Sequence, residues 1–157
     1  VRPPAAPAVT AEAVGDDLPD LAVTVRAEAM KPTALLLRDP NPIHLDPAVV
    51  RGLGLGDRVI NQGPLNVGYL WEMLARWTGD AGLVRSLDVR FTSNAFAGEV
   101  LVAGGVIEDV ADPADGDRIA TCAVWLCAED GRDVVRGTAR VVLPPRPTTP
   151  DDGGDPR

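Results

Sequence analysis

Histidine is almost missing from this chain: His44 is the only one in 157 residues. Cysteine is scarce as well, with Cys122 and Cys127 alone. One imidazole and two thiols signal neither a zinc site nor a Cys–His nucleophile pair. The two cysteines fall in a strand-like stretch at an odd spacing, which places them on opposite faces, so free thiols are expected. Phe, Trp and Tyr together make up 4% of residues and the net charge is −8, a poor match for nucleic acid. No apolar run approaches the ~18 residues of a membrane span. The start, Val1-Arg2-Pro3-Pro4, lacks a signal-peptide pattern. A cytoplasmic protein that binds neither nucleic acid nor membrane is the expectation.

What is present is globular: 45% hydrophobic and 24% charged residues, in a length that suits one domain. Residues 1–17 are Pro/Ala-rich and then acidic, and read as a disordered arm. Residues 18–143 read as the folded domain. From Pro144 the chain is Pro, Thr, Asp and Gly, which reads as a disordered tail. Half of the net charge lies in residues 1–20 and 144–157. Any anionic ligand of the domain would therefore need a local basic patch.

Along the domain, Leu21 to Arg26 alternates as a first strand. Pro32 suits the first turn of a short helix running through Leu37. Asp46 and Pro47 supply the cap and first residue of a second helix, closed by Gly52, Gly54 and Gly56. Pro64 opens the longest helical signal. There Val67, Leu70, Trp71, Leu74 and Trp77 recur at helical steps, and Leu65, Tyr69 and Met73 broaden the apolar surface, so burial on most sides is expected. Gly79 ends it. Four strand-like runs follow, from about Leu87, Val100, Ile119 and Val134, with turns at 112–117 and 129–132. The fold class is α+β, a single domain with an antiparallel sheet wrapped around one long helix. Trp71, Trp77, Trp125 and Tyr69 are expected in the core.

One stretch reads as chemistry: Arg38-Asp39-Pro40-Asn41-Pro42-Ile43-His44-Leu45-Asp46. Pro40 and Pro42 fix their own φ and push Asp39 and Asn41 out of helical geometry. The result is a stiff turn carrying a carboxylate, an amide and an imidazole at set offsets. Arg38 and Asp46 flank it as solvent-facing or capping residues.

Asp39-x-Asn41-Pro42-Ile43-His44 resembles the signature of the MaoC-like, R-specific enoyl-thioester hydratases (hydratase 2 type). The resemblance runs from about Val23 to Leu143 and implies a hot-dog fold. Phe91 and Phe96-Ala97-Gly98-Glu99 resemble the family's strand–loop pattern, with Asn94 where proline is commoner. The implied reaction is reversible hydration of a trans-2-enoyl thioester to the (R)-3-hydroxyacyl form, with no cofactor and no metal. The substrate would be a coenzyme A or acyl-carrier thioester. A homodimer is implied, or a heteromer with a homologous subunit.

That reaction needs a base for water, a proton for C2 and stabilisation of the carbonyl oxygen. The resemblance implies that Asp39 and His44 hold one water, Asp39 as principal base and His44 as acid/base partner. Imidazoles exchange protons readily near neutrality. Asn41 either orients this pair or substrate, or forms an Asx turn. The N–H of Gly63, at the start of the long helix, matches the family's oxyanion donor; ordinary helix-start chemistry is the alternative. Pro64 cannot donate, and Gln62 stands where relatives usually carry histidine, a change that bears on substrate positioning. Arg58, Arg85 and Arg90, with Arg51, are the candidate carrier contacts. Alternative functions are a tailoring dehydratase for a bulky polyketide or sterol side-chain thioester, or a non-catalytic hot-dog partner subunit. A thioesterase would rest on Glu72 alone.

Overall fold

The structure is a computed structural model that describes residues 11–113 and 116–144. Residues 1–10 and 145–157, where the N-terminal arm begins and nearly all of the C-terminal tail falls, lie outside the described residues.

Strands β1 (Leu21–Thr24), β2 (Val84–Phe91), β3 (Val100–Ala111), β4 (Arg118–Ala128) and β5 (Asp133–Leu143) form one antiparallel sheet in the order β1-β3-β4-β5-β2. Alternation in the sequence becomes alternation of faces. In β4, Ala120, Cys122, Val124 and Leu126 are buried, whereas Thr121, Ala123, Trp125 and Cys127 turn to the outer side. The cysteines thus lie on opposite faces, both free.

Helix α3 (Gly63–Thr78) packs across the concave face against β1, β2, β3 and β4. Leu70, Met73, Leu74 and Trp77 enter the core, and Gly79 at φ 75° closes the helix. Burial covers most of its surface, as the broad apolar face leads one to expect, and leaves one exposed stripe. Trp71 is 38% exposed, and Pro64, Gly68, Glu72 and Arg76 face outward with it. Trp125 also lies outside the core, on the outer sheet face under the Arg136 guanidinium, and Tyr69 is only partly buried. Of the three tryptophans, Trp77 alone is buried.

Helix α1 (Ala27–Leu37) starts earlier than the first-turn reading of Pro32 placed it, so Pro32 lies inside the helix. A proline there removes one backbone donor. The exposed position of Pro32 leaves the facing carbonyl access to water. Helix α2 (Pro47–Gly52) begins as read, with Asp46 accepting from Ala48 N–H at 2.7 Å.

The expectation of a disordered arm over residues 1–17 does not hold for its described part. Gly15 N–H donates to Ile107 O at 2.8 Å, Leu18 N–H to Gly105 O at 2.9 Å, and Ala11 is buried. The segment extends the sheet edge beyond β1. Its anchor is Arg118, 7% exposed, which meets Glu12 and Asp112, each at 3.5 Å, and donates to Pro144 O at 2.8 Å. Asp16 also caps the segment internally, and the N–H groups of Ala13 and Glu12 hold its carboxyl below the usual carboxylate range.

Candidate active site

The Asp39–Asp46 turn leaves α1 through Arg38, a left-handed residue at φ 53°, whose neighbour Asp39 donates its N–H to Ala34 O at 2.9 Å. Pro42–His44 then forms one 3₁₀ turn. Two side chains set its shape. Asp39 Oδ1 accepts Asn41 N–H at 3.2 Å, and Asn41 Oδ1 accepts Ile43 N–H at 3.3 Å. Asn41 is therefore an Asx cap of the turn that carries His44.

The turn is fastened to the chain entering α3. Ile60 N–H donates to Ile43 O at 3.1 Å, and His44 Nδ1 lies 2.7 Å from Ile60 O. A carbonyl only accepts, so Nδ1 carries the hydrogen and the other ring nitrogen is fixed in role. In the neutral ring, Nε2 presents a lone pair. It lies 3.6 Å from Asp39 Oδ2, too far for a direct hydrogen bond. The His44 side chain is 11% exposed and that of Asp39 37%, so the imidazole is sheltered while the carboxylate meets solvent.

Ile60 also belongs to a second support. Val59, Ile60 and Asn61 pair with Ala95 to Ala97, through Asn61 N–H to Ala95 O at 2.7 Å and Ala97 N–H to Val59 O at 2.9 Å. That segment is held by Glu99. Its carboxylate accepts from Phe96 N–H at 3.0 Å, Arg58 at 3.1 Å and Arg132 at 2.9 and 3.0 Å. Neither Arg132 nor this role of Glu99 was visible in the sequence, because the partners lie over thirty residues apart.

Two cavities flank the pair. One, of about 380 Å³, is lined by His44, Leu45, Arg58 and Val59. The other, of about 460 Å³, is lined by Asp39, Pro40, Leu35 and Arg38. Lys31, the only lysine of the chain, and Leu45 line both. Lys31 was not among the sequence candidates.

Gln62 caps α3 from the chain side. It is fully buried, and its carbonyl accepts from Leu65 and Asn66 N–H at 3.0 and 3.2 Å. Gly63 follows, where an added Cβ would lie 3.2 Å from the Phe91 ring. The structure thus brings Asp39, Asn41 and His44 together, with Gln62 and Gly63 two and three residues beyond the Ile60 anchor. Of the candidate carrier contacts, Arg58 borders the His44 cavity but is ion-paired to Glu99 and stacked over Phe96. Arg85 pairs with Asp117 at 3.2 Å, at the far end of β2 from Phe91. Arg90 is exposed on β2 opposite Arg136 and lines neither cavity. Among the described residues, no group of three or more His, Cys, Asp or Glu side chains is placed to hold a metal ion.

Comparison with known proteins follows the same outline. The fold matches the (R)-hydratase from A. caviae involved in PHA biosynthesis, with TM-score 0.72 and 26% identity over 86% of this chain and 99% of that one. A MaoC-like dehydratase matches with TM-score 0.77 and 29% identity, over 85% of this chain and 41% of that longer one. The ChsH1-ChsH2 complex from Mycobacterium tuberculosis matches with TM-score 0.69 and 23% identity, over 84% of this chain and 98% of that one, and shares the fold. No curated protein matches by sequence. The MaoC like domain model matches residues 10–123, a span that holds the Asp39–His44 turn, its Ile60 anchor, α3 and three of the five strands entire. With most of the chain and the whole of this site inside that span, the protein belongs to the MaoC-like domain family.

Proposed function

We propose that this protein is a hydro-lyase that reversibly hydrates a trans-2-enoyl thioester to the 3-hydroxyacyl thioester. The observation that carries the reading is the Asp39–His44 pair, whose facing atoms are 3.6 Å apart with Nδ1 committed to Ile60 O. Two acceptors facing each other across that gap are matched by a water that donates one hydrogen to each. Its lone pairs then remain free to attack. As the oxygen bonds to C3, the pair takes one proton from the water and returns it to C2, so both side chains end as they began. Asp39 serves as principal base, and His44 holds and relays the proton. Charge that builds on the thioester oxygen is met by Gly63 N–H at the start of α3. The family resemblance supports the R configuration at C3.

A second subunit belongs to this reading. Among the described residues, strand β2 is a free edge of eight residues, and the opposite edge, β1, is only four residues long, with residues 15–18 continuing it along β3. Such an edge invites pairing with another chain. Phe91 at the end of β2, Trp71 on α3 and Leu35 and Leu36 on α1 are exposed by 49%, 38%, 82% and 83%. A second hot-dog chain, identical or homologous, would cover them; the ChsH1-ChsH2 complex pairs two different chains.

The test is loss of the enoyl ultraviolet absorbance with crotonyl-CoA and a longer analogue, followed by chiral analysis of the product. Wild-type protein is expected to form the (R)-3-hydroxyacyl thioester, and Asp39→Asn to form it far more slowly at the same folded yield. Equal turnover by both proteins would overturn the assignment.

A further inference from the structure

Among the described residues, Gln62 is the one whose entire side-chain amide is buried without a partner. Neither Oε1 nor Nε2 has a hydrogen bond, and the residue is 0% exposed. Its neighbour Asn61 differs, because Asn61 Nδ2 donates to Asn66 Oδ1 at 2.7 Å inside the same helix start. Buried carboxamides are ordinarily satisfied on both atoms, and leaving one unpaired opposes folding. A glutamine kept under that cost needs a partner supplied from elsewhere.

The helix start next to it is short of donors. Leu65 and Asn66 N–H are already given to the Gln62 carbonyl, and Pro64 has no N–H. Within residues 63–66, Gly63 N–H is the one backbone donor with no partner among the described residues. A single donor is a weak stabiliser for an oxyanion, and such sites generally converge two or more. The same four-residue run, Ile60 to Gly63, also anchors His44 through the Ile60 carbonyl. The unpaired amide, the free backbone donor and the imidazole anchor are thus carried on one short segment.

We infer that Gln62 Nε2 is the second donor to the thioester carbonyl oxygen, acting beside Gly63 N–H. This rests on the hydration reading and extends it from the water side of the double bond to the carbonyl side. Gln62 supplies the donor that Pro64 removes from the helix start. Substrate carbonyl replaces the missing partner of the amide, and the donation strengthens as the oxygen gains charge.

The test is Gln62→Met, which keeps chain length and volume and removes both polar atoms. Because the amide has no partner in the free protein, the variant is expected to unfold about 2–6 °C higher than wild type. Its kcat for crotonyl-CoA hydration is expected to fall about 100-fold with KM little changed, since the contact strengthens in the transition state. Gln62→His, which restores a donor, is expected to recover at least tenfold of that loss. A lower unfolding temperature for Gln62→Met would overturn the inference by showing the amide to be satisfied within the fold. So would a kcat within twofold of wild type. Wild-type protein that hydrates no enoyl thioester, short or long, would remove the hydration reading itself and the inference with it.

Discussion

Asn41 offers a sharp discrimination between orienting the loop and touching the substrate. In the structure its Oδ1 caps the 3₁₀ turn through Ile43 N–H at 3.3 Å, and nothing else among the described residues holds its side chain. The bond is long and the residue exposed, so the cap lies at the low end of its range, about 0.5–1 kcal/mol. Asn41→Ala removes it. If all of that energy is spent in holding His44 against Ile60 O, kcat/KM falls about two- to fivefold. Asn41→Asp keeps an oxygen at the same place and should stay within about twofold of wild type. Steady-state hydration of crotonyl-CoA, with a thermal melt of each variant, measures both effects. A loss beyond about 100-fold in both variants would refute the capping argument and make the amide N–H a substrate contact.

Three further outcomes follow from packing and charge. Gly137 sits in β5 where an added Cβ would collide with the Asp88 carbonyl oxygen of β2, so Gly137→Ala must displace the edge strand. A drop of about 3 kcal/mol in denaturant unfolding is expected, and an unchanged midpoint would contradict the close approach. Burial, with Glu108 adding, pushes the Cys122 thiol from 9.0 up to about 11. The unfolded thiol ionises first, so folding stability falls as pH rises from about 9 to 11. Wild type should lose about 2–3 kcal/mol more over that window than Cys122→Ala, and equal losses would refute the burial. Glu99→Gln leaves Arg58 and Arg132 without their shared carboxylate, which is 15% exposed, so about 1–3 kcal/mol of destabilisation is expected by denaturant titration. An unchanged midpoint there would show that the network does not hold the 93–99 loop.

Local chemistry made much of this molecule readable in advance. Proline at a first or second helical position marks α2 and α3, and glycine after the last one closes α3, because those residues act through their own backbone. Alternation marks the strands because side chains on a strand have period two. The Asp39–His44 turn was readable for the same reason, since two prolines and two Asx side chains fix its path within six residues. What escaped was long-range. Arg118 anchors residues 11–17 through Glu12, over a hundred positions away, and no local pattern encodes that pair. Arg132 reaches Glu99 across the sheet hairpin. The outward Trp71 and Trp125 were misplaced because apolar character does not say which face of an element meets the core. Pro32 does not mark the start of α1, because a solvent-facing helix tolerates proline further along.

The central claim is that Asp39 and His44 work as one unit on one water. Non-additivity tests it most directly: kcat of hydration is measured for Asp39→Asn, His44→Ala and the double variant, each confirmed folded. If the two share a water, either single change already destroys its binding and activation. The double variant should then be no slower than the worse single one, within about threefold. Losses that multiply, so that the double variant falls by the product of the two single effects, would show two independent groups and contradict the account.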